Sequence, residues 1–256
     1  MSPFRHIDTW VFDLDNTLYP ASCRLFDQID VKIGEYVSGK LGMSFADAKL
    51  YQKKLYYKHG TTLRGLMQEH AMKPEGFLDY VHDIDYSPVT PDAGLAKAIA
   101  ALPGRKLVFT AGTVAHATRA MDRLGVTPLF DGIFDIVHAD YVPKPQRPPY
   151  EDFLKTHKVN PKQAAMFEDI PRNLEVPHDL GMVTVLVTHA DNRDAKHLSE
   201  GADAEHVHHK TDDLAGFLVK VMMGVTHSHT VIPTKVGIQT FNQIDAGKSG
   251  FPLSRE

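Results

Sequence analysis

Trp10-Val11-Phe12-Asp13-Leu14-Asp15-Asn16-Thr17-Leu18-Tyr19 carries an apolar segment straight into two aspartates separated by one residue. Strand side chains alternate between faces, so Asp13 and Asp15 are expected to leave the end of a buried strand on the same side, with Leu14 turned away. Carboxylates held that close repel each other, and a fold tolerates the cost where a cation or a shared proton offsets it. The stretch therefore predicts a divalent-metal site at the carboxyl end of a strand.

Downstream, residues 20–87 change to helical spacing. Ile29, Ile33 and Val37 recur at four-residue steps, while Leu63, Leu66, Met67 and His70 trace one side of a helix. Ser44 followed by Asp47 marks a helix start. From Ser87 onward helices and strands alternate. Thr90 is the expected cap and Pro91 the first position of a helix carrying Leu95, Ile99 and Leu102. Strands are predicted over 106–110, 132–137, 164–167 and 182–187. Helices are predicted over 113–124, 150–157 and about 173–180, the last closed by Gly181. Apolar strands separated by helices indicate a parallel sheet covered on both faces. The predicted fold is α/β, a doubly wound Rossmann-like core of residues 1–19 and 88–223 with an inserted α-helical domain over 20–87. An amphipathic stretch over 212–222 is expected to dock on the sheet. Residues 224–256 lack sustained periodicity, and 231–239 resemble the translated form of repeat elements between bacterial genes, so a disordered or peripheral tail is expected.

A chain of 256 residues with 43% hydrophobic content can bury one large core and a smaller satellite. Its net charge of −4, with both signs interspersed, offers no basic stripe for nucleic acid. Cys23 stands alone, which rules out an intramolecular disulfide and fits a reducing compartment. Residues 1–8 hold no apolar secretory stretch and no later run is long enough to span a bilayer, so a cytoplasmic protein without membrane contact is expected. Among fifteen histidines, His206, His208 and His209 have no Cys or carboxylate framework around them and are expected to be solvated rather than zinc-bound.

Polar residues stand at each strand end in turn: Asp13 and Asp15, then Thr110, then Lys144 in the loop after the third strand, then Glu168 and Asp169. Ligands of such sheets sit at the carboxyl ends of the strands. Carboxylates, a hydroxyl and an ammonium gathered there have the parts for metal-assisted phosphoryl transfer through an aspartyl-phosphate. Asp13 is assigned as nucleophile, its repulsion from a phosphate dianion screened by Mg²⁺. Asp15 would protonate the leaving oxygen and later deprotonate the attacking water. Asp169 and Glu168 complete the oxygen donors that Mg²⁺ prefers, and Thr110 and Lys144 hold the phosphoryl oxygens. Glu168 and Asp169 equally suit the start of the following helix through its dipole. Asn173 is either a surface amide or a group that fixes Lys144 and a metal-bound water.

Asp13-Leu-Asp-Asn-Thr-Leu-Tyr19, the Thr110 strand end, Lys144-Pro145 and Phe167-Glu-Asp-Ile-Pro-Arg-Asn173 resemble the four ordered motifs of the haloacid dehalogenase superfamily of phosphohydrolases. The resemblance covers roughly residues 9–187. It implies that the metal also takes the backbone carbonyl of Asp15 and that the helical insertion is a mobile cap. Within the superfamily the chain is most similar to the pyrimidine 5′-nucleotidase branch, on residues 15–20, the segment 56–65 and residues 81–86. That implies a nucleoside monophosphate such as UMP or CMP as substrate. Ala111-Gly112 stands where Asn-Gly is common and His59 where many relatives have Tyr. The substrate contacts so implied are Thr110, Ala111, Gly112 and Lys144, with His59, Thr61, Thr62 and Arg64 from the insertion. Tyr56, Tyr57 and His59 are as well explained by helix packing. Rival readings are a phosphatase of phosphoglycolate, pyridoxal phosphate or a sugar phosphate, and a regulator that binds a phosphorylated ligand without turning it over.

Overall fold

Six strands, β1 (Thr9–Phe12), β2 (Arg105–Phe109), β3 (Gly132–Phe134), β4 (Ala164–Glu168), β5 (Val183–Val187) and β6 (His209–Thr211), form one sheet in the order β3-β2-β1-β4-β5-β6. Every pairing is parallel. The computed structural model describes residues 3–189 and 200–224. The predicted tail, apart from Gly224, lies outside those residues.

The helices are α1 (Leu25–Leu41), α2 (Phe45–His59), α3 (Thr62–His70), α4 (Pro74–Val81), α5 (Ala93–Ala101), α6 (Val114–Leu124), α7 (Arg147–His157), α8 (Glu175–Leu180) and α9 (Leu214–Met222). Strand alternation sorts them into layers. Trp10 and Phe12 point to one face and pack with Ile99 of α5, Met121 of α6 and Leu218 of α9. Val11, Leu107 and Phe109 point to the other and pack with Tyr150 and Phe153 of α7. Both faces are therefore covered, as the continuous apolar strands required, and β1 is buried at every position.

The segment between β1 and α5 is helical, as its spacing predicted. Val37, Leu55, Leu66, Phe77 and Val81 of α1–α4 share a core of their own, which Ile136 joins from beyond β3. The Ser44 hydroxyl accepts from the Asp47 amide at 3.1 Å and starts α2.

Several boundaries differ from the sequence expectation. Asp92, not Thr90, caps α5, its carboxylate accepting from the Leu95 amide at 2.8 Å; Pro91 falls outside the helix. β3 stops at Phe134 because the Asp135 carboxylate takes the amides of Val114, Val137 and His138 and turns the chain. Asn173 lies in a 3₁₀ turn, Pro171–Leu174, and the regular helix begins at Glu175. Gly181 does close α8, at φ +92°. β6 was not foreseen, since three residues carry too little periodicity to register.

The solvated reading holds for His208, which is exposed, and is corrected for His209. His208 Nδ1 accepts from the Thr184 amide at 3.0 Å. His209 is buried with its ring 5.0 Å from that of Phe4. Burial, aided by His208, pushes His209 down from 6.5 to about 4. The unfolded chain thus binds a proton below pH 6.5 that the folded chain refuses, so stability falls as pH drops from 6.5 toward 4. The expected contribution is roughly 2–3 kcal/mol at most. Urea melts of wild type and His209→Phe at pH 7 and pH 4.5 check it: the variant should lose less stability on acidification. An equal loss in both would contradict it.

Candidate active site

Strand register builds the centre of the site. Phe12 stands beside Phe167, so the residues that follow, Asp13 and Glu168, emerge side by side at the carboxyl ends of β1 and β4. The Asp13 amide donates to the Phe167 carbonyl at 2.9 Å and holds that alignment. Lys144 closes the gap between the two carboxylates. Its Nζ donates to Asp13 Oδ1 at 2.7 Å, Glu168 Oε1 at 2.7 Å and the Phe109 carbonyl at 3.2 Å, which uses all its ammonium hydrogens. Asp169 joins the group, with carboxylate oxygens of Asp13, Glu168 and Asp169 within 4.8 Å of one another.

Three buried carboxylates thus face one ammonium. Burial, with the charges of Glu168 and Asp15, lifts Asp13 to about 7 despite the opposing pull of Lys144. Burial together with Glu168 and Asp13 holds Asp169 well above the usual carboxylate range. Lys144 goes the other way: burial works against its charge, but Asp13 and Glu168 outweigh burial and raise it. The unbalanced negative charge and the all-oxygen donor set suit a hard divalent cation. Glu168 is already committed, Oε1 to Lys144 and Asn173 and Oε2 to the Ile170 amide at 2.7 Å. Asp13 is less heavily committed, with Oδ1 on Lys144 and Oδ2 accepting only a 3.3 Å contact from the Thr17 hydroxyl, and Asp169 stands beside it.

Of the two readings of Asn173, the surface amide is excluded. Asn173 is buried, and its Nδ2 donates to Glu168 Oε1 at 2.6 Å, so it braces Lys144 through Glu168. Tyr150 in turn donates to the Asn173 carbonyl at 2.8 Å. Thr110, at the end of β2, is buried and its Oγ1 accepts from the Gly112 amide at 3.0 Å. Ala111 is exposed beside it.

Asp15 departs from the strand-face expectation. The chain leaves the strand after Phe12 and turns at Asn16, whose φ is +58°, so the Asp15 carboxylate stands outside the Asp13–Glu168–Asp169 group. Its Oδ1 instead accepts from Tyr19 Oη and pairs with His116 Nε2 at 2.8 Å. Burial alone would raise Asp15, but the His116 and Tyr19 contacts overcome it and hold Asp15 at about 2. His116 is fully buried in the first turn of α6, stacks on His82 at 4.5 Å, and lies 2.8 Å through Nδ1 from the Tyr86 hydroxyl. A Cβ at Gly112 would sit 2.7 Å from the His116 ring, so this loop needs glycine there. Sequence reasoning missed His116, and it singled out the segment 81–86 that holds His82 and Tyr86 without giving either a role at Asp15. Tyr19, one turn beyond Asp15, is the one whose spacing alone placed it near that carboxylate.

The insertion residues divide. Arg64 Nη1 reaches Gln146 Oε1 at 3.4 Å, two residues beyond Lys144. Gly60 abuts Pro143, where a Cβ would come within 3.0 Å of its ring. Tyr56 accepts from Arg172, next to Asn173, and Tyr57 is exposed with its ring 5.7 Å from that of Tyr56. These contacts set the α2–α3 corner against the loops bearing Lys144 and Asn173. His59 pairs with Glu69 at 2.7 Å, Thr61 caps α3 through the Arg64 amide, and Thr62 is buried against the Gln52 carbonyl. A cleft of about 550 Å³ between α4 and α6 is lined by Tyr80, His82, Asp83, Thr113, His116 and Arg119.

A family model described as haloacid dehalogenase-like hydrolase matches residues 7–181. The chain belongs to the haloacid dehalogenase-like hydrolases. Phosphate metabolism protein 8 of Saccharomyces cerevisiae is 28% identical over 155 residues, 56% of this chain and 46% of that protein. The chain thus matches less than half the length of this curated relative. A HAD phosphatase from Thermococcus onnurineus superposes with a TM-score of 0.59 at 15% identity, over 85% of this chain and 98% of that one. A haloacid dehalogenase-like family hydrolase from Streptococcus pneumoniae gives 0.54 at 16% identity, over 84% and 98%. At such identities both establish the fold: this haloacid dehalogenase-like hydrolase shares their parallel sheet. Among the described residues, no helix is long and apolar enough to cross a membrane.

Proposed function

We propose that this hydrolase is a Mg²⁺-dependent phosphomonoesterase that works through an aspartyl-phosphate on Asp13, with a pyrimidine nucleoside 5′-monophosphate as its substrate. The observation that carries the reading is Lys144 bridging Asp13 and Glu168 at 2.7 Å each, beside Asp169. A structural ion pair needs one carboxylate per ammonium. A phosphate site needs spare negative charge for a cation, a nucleophile and a cationic donor together.

Asp13 attacks phosphorus, and the bond to the ester oxygen breaks as that oxygen takes a proton from Asp15. Water then attacks the aspartyl-phosphate while Asp15 accepts its proton, so ester and water become alcohol and phosphate. Asp15 rests ionised, so the proton it gives is taken up from solvent as the phosphate dianion arrives and raises it, as any like charge does. Lys144 and Thr110 hold phosphoryl oxygens, and Asn173 keeps Lys144 in place through Glu168. Asp13 and Asp169, with Glu168 and the Asp15 carbonyl, would hold Mg²⁺, which when bound neutralises charge on the phosphoryl oxygens. Without it, burial and the neighbouring carboxylates hold Asp13 well above the ordinary carboxylate value and oppose its ionisation. The α1–α4 bundle acts as a cap that excludes water while the ester is cleaved and opens to release product. The nucleotide preference rests on the motif likeness of residues 15–20, 56–65 and 81–86.

Phosphate release across a panel of UMP, CMP, purine nucleotides, phosphoglycolate, pyridoxal phosphate and sugar phosphates tests both levels. Release that requires Mg²⁺, vanishes in EDTA and is fastest with UMP or CMP is expected, and Mg²⁺ should raise the melting temperature of the ester-free protein. Release fastest with another ester would remove the nucleotide assignment. Binding of phosphate esters without any release would favour the regulatory reading, for which the exposed Ala111 in the phosphate-binding loop is the one departure.

A further inference from the structure

His116 has no place in the motifs, yet it makes the closest described contact to Asp15 from outside that aspartate's own turn. Both described hydrogen bonds to the Asp15 carboxylate, from Tyr19 and His116, land on Oδ1. Oδ2 has no hydrogen-bond partner among the described residues, and the side chain is 21% exposed. One oxygen is therefore clamped, while the other has no described partner in a side chain that is partly exposed.

The clamp is itself held on every side. His116 is 0% exposed, stacked on His82 with an interplanar angle of 19°, and anchored through Nδ1 to Tyr86. Tyr86 also donates to the His82 carbonyl at 3.2 Å, and Thr113, which caps α6 through the His116 amide, reaches His82 Nδ1 at 3.4 Å. Gly112 leaves the space the ring occupies. A buried imidazole with both nitrogens bonded has lost its rotamer freedom, and it passes that order to whatever it touches.

We propose that His116 is a positioning residue for acid–base chemistry: by fixing Oδ1 of Asp15 it presents Oδ2 to the ester oxygen of the substrate. This rests on the phosphatase reading above. The proton moves from Asp15 Oδ2 to the bridging oxygen as the phosphorus–oxygen bond breaks. It returns to Oδ2 from the water that cleaves the aspartyl-phosphate. A misaligned Asp15 slows the first transfer only where the leaving oxygen needs the proton. An alkoxide needs it, whereas a p-nitrophenolate leaves without it.

The test compares wild type, His116→Phe, His116→Ala and His116→Gln on p-nitrophenyl phosphate and on an alkyl ester, UMP or β-glycerophosphate. Phe keeps a ring over His82 but has no nitrogen, while Gln restores an N–H donor. The expected result is a kcat loss of about 10²-fold on the alkyl ester for Phe and Ala, at least about tenfold larger than their loss on p-nitrophenyl phosphate. KM should stay within a few fold, and Gln should recover at least about tenfold of the alkyl loss. Equal losses on both esters, with Gln no better than Ala, would overturn the inference. Having two nitrogen-free variants guards against one failing to fold. A wild type that releases phosphate from neither ester would overturn the phosphatase reading, and this inference with it, whereas equal losses leave that reading intact.

Discussion

Asp13→Asn is expected to release no phosphate from any ester, a fall of about 10⁴-fold or more, because the amide oxygen cannot form the covalent intermediate. The fold should survive. Asp13 is crowded by Glu168 and Asp169, and burial already lifts it to about 7, so much of its charge is unwelcome at rest. Lys144 keeps Glu168 at 2.7 Å and the Phe109 carbonyl at 3.2 Å, and the Asn oxygen still accepts from it. The melting temperature should therefore match or exceed that of wild type, within about 1 kcal/mol in stability. A phosphate-release assay beside a thermal melt separates the outcomes. Turnover retained at a tenth of the wild-type rate would overturn the nucleophile assignment.

Lys144→Met has the opposite balance, with structure suffering as much as chemistry. The substitution keeps length and volume but strands Asp13 and Glu168, each 8% exposed or less in the side chain, without their shared cation. Removing one partner of a buried ion pair costs about 3–5 kcal/mol. Loss of a phosphate donor should lower kcat by about 10²- to 10³-fold. The pH dependence carries a sign of its own. Asp13 and Asp169 sit above the ordinary carboxylate value of 3.8, and without Lys144 they rise further. Groups raised on folding contribute stability that is lost as pH climbs through the folded value, so the deficit of the variant should shrink on acidification. Denaturant titrations at pH 8 and pH 5.5 read this directly. A deficit that grows toward acid would show that Lys144 does not hold those carboxylates.

The elements legible in the sequence were those whose signal is local. Trp10 to Phe12 and Leu107 to Phe109 are apolar on both faces, and nothing but a sheet core satisfies them. The convergence of Asp13, Thr110, Lys144, Glu168 and Asp169 followed from parallel topology, since all strands that end together point their loops at one edge. What remained hidden depends on pairs distant in sequence. His116 is 101 residues from Asp15, and no spacing rule connects a histidine in a helix to an aspartate in another turn. The alternation argument erred at Asp15 because it assumed that the strand continued, whereas β1 ends at Phe12 and Asn16 adopts a left-handed turn. Asp92 displaced Thr90 as the cap of α5 because its carboxylate is the one that reaches the Leu95 amide. His209 looked solvated by composition and is buried by tertiary packing on Phe4.

Since all six strands run the same way, the opposite rim of the sheet, where Gly104 lies in a loop and Lys162 in the 3₁₀ turn Pro161–Gln163, both exposed, stands about 15 Å from Asp13 with the whole central layer between. A single attachment confined to position 162 would leave the working edge facing the solution.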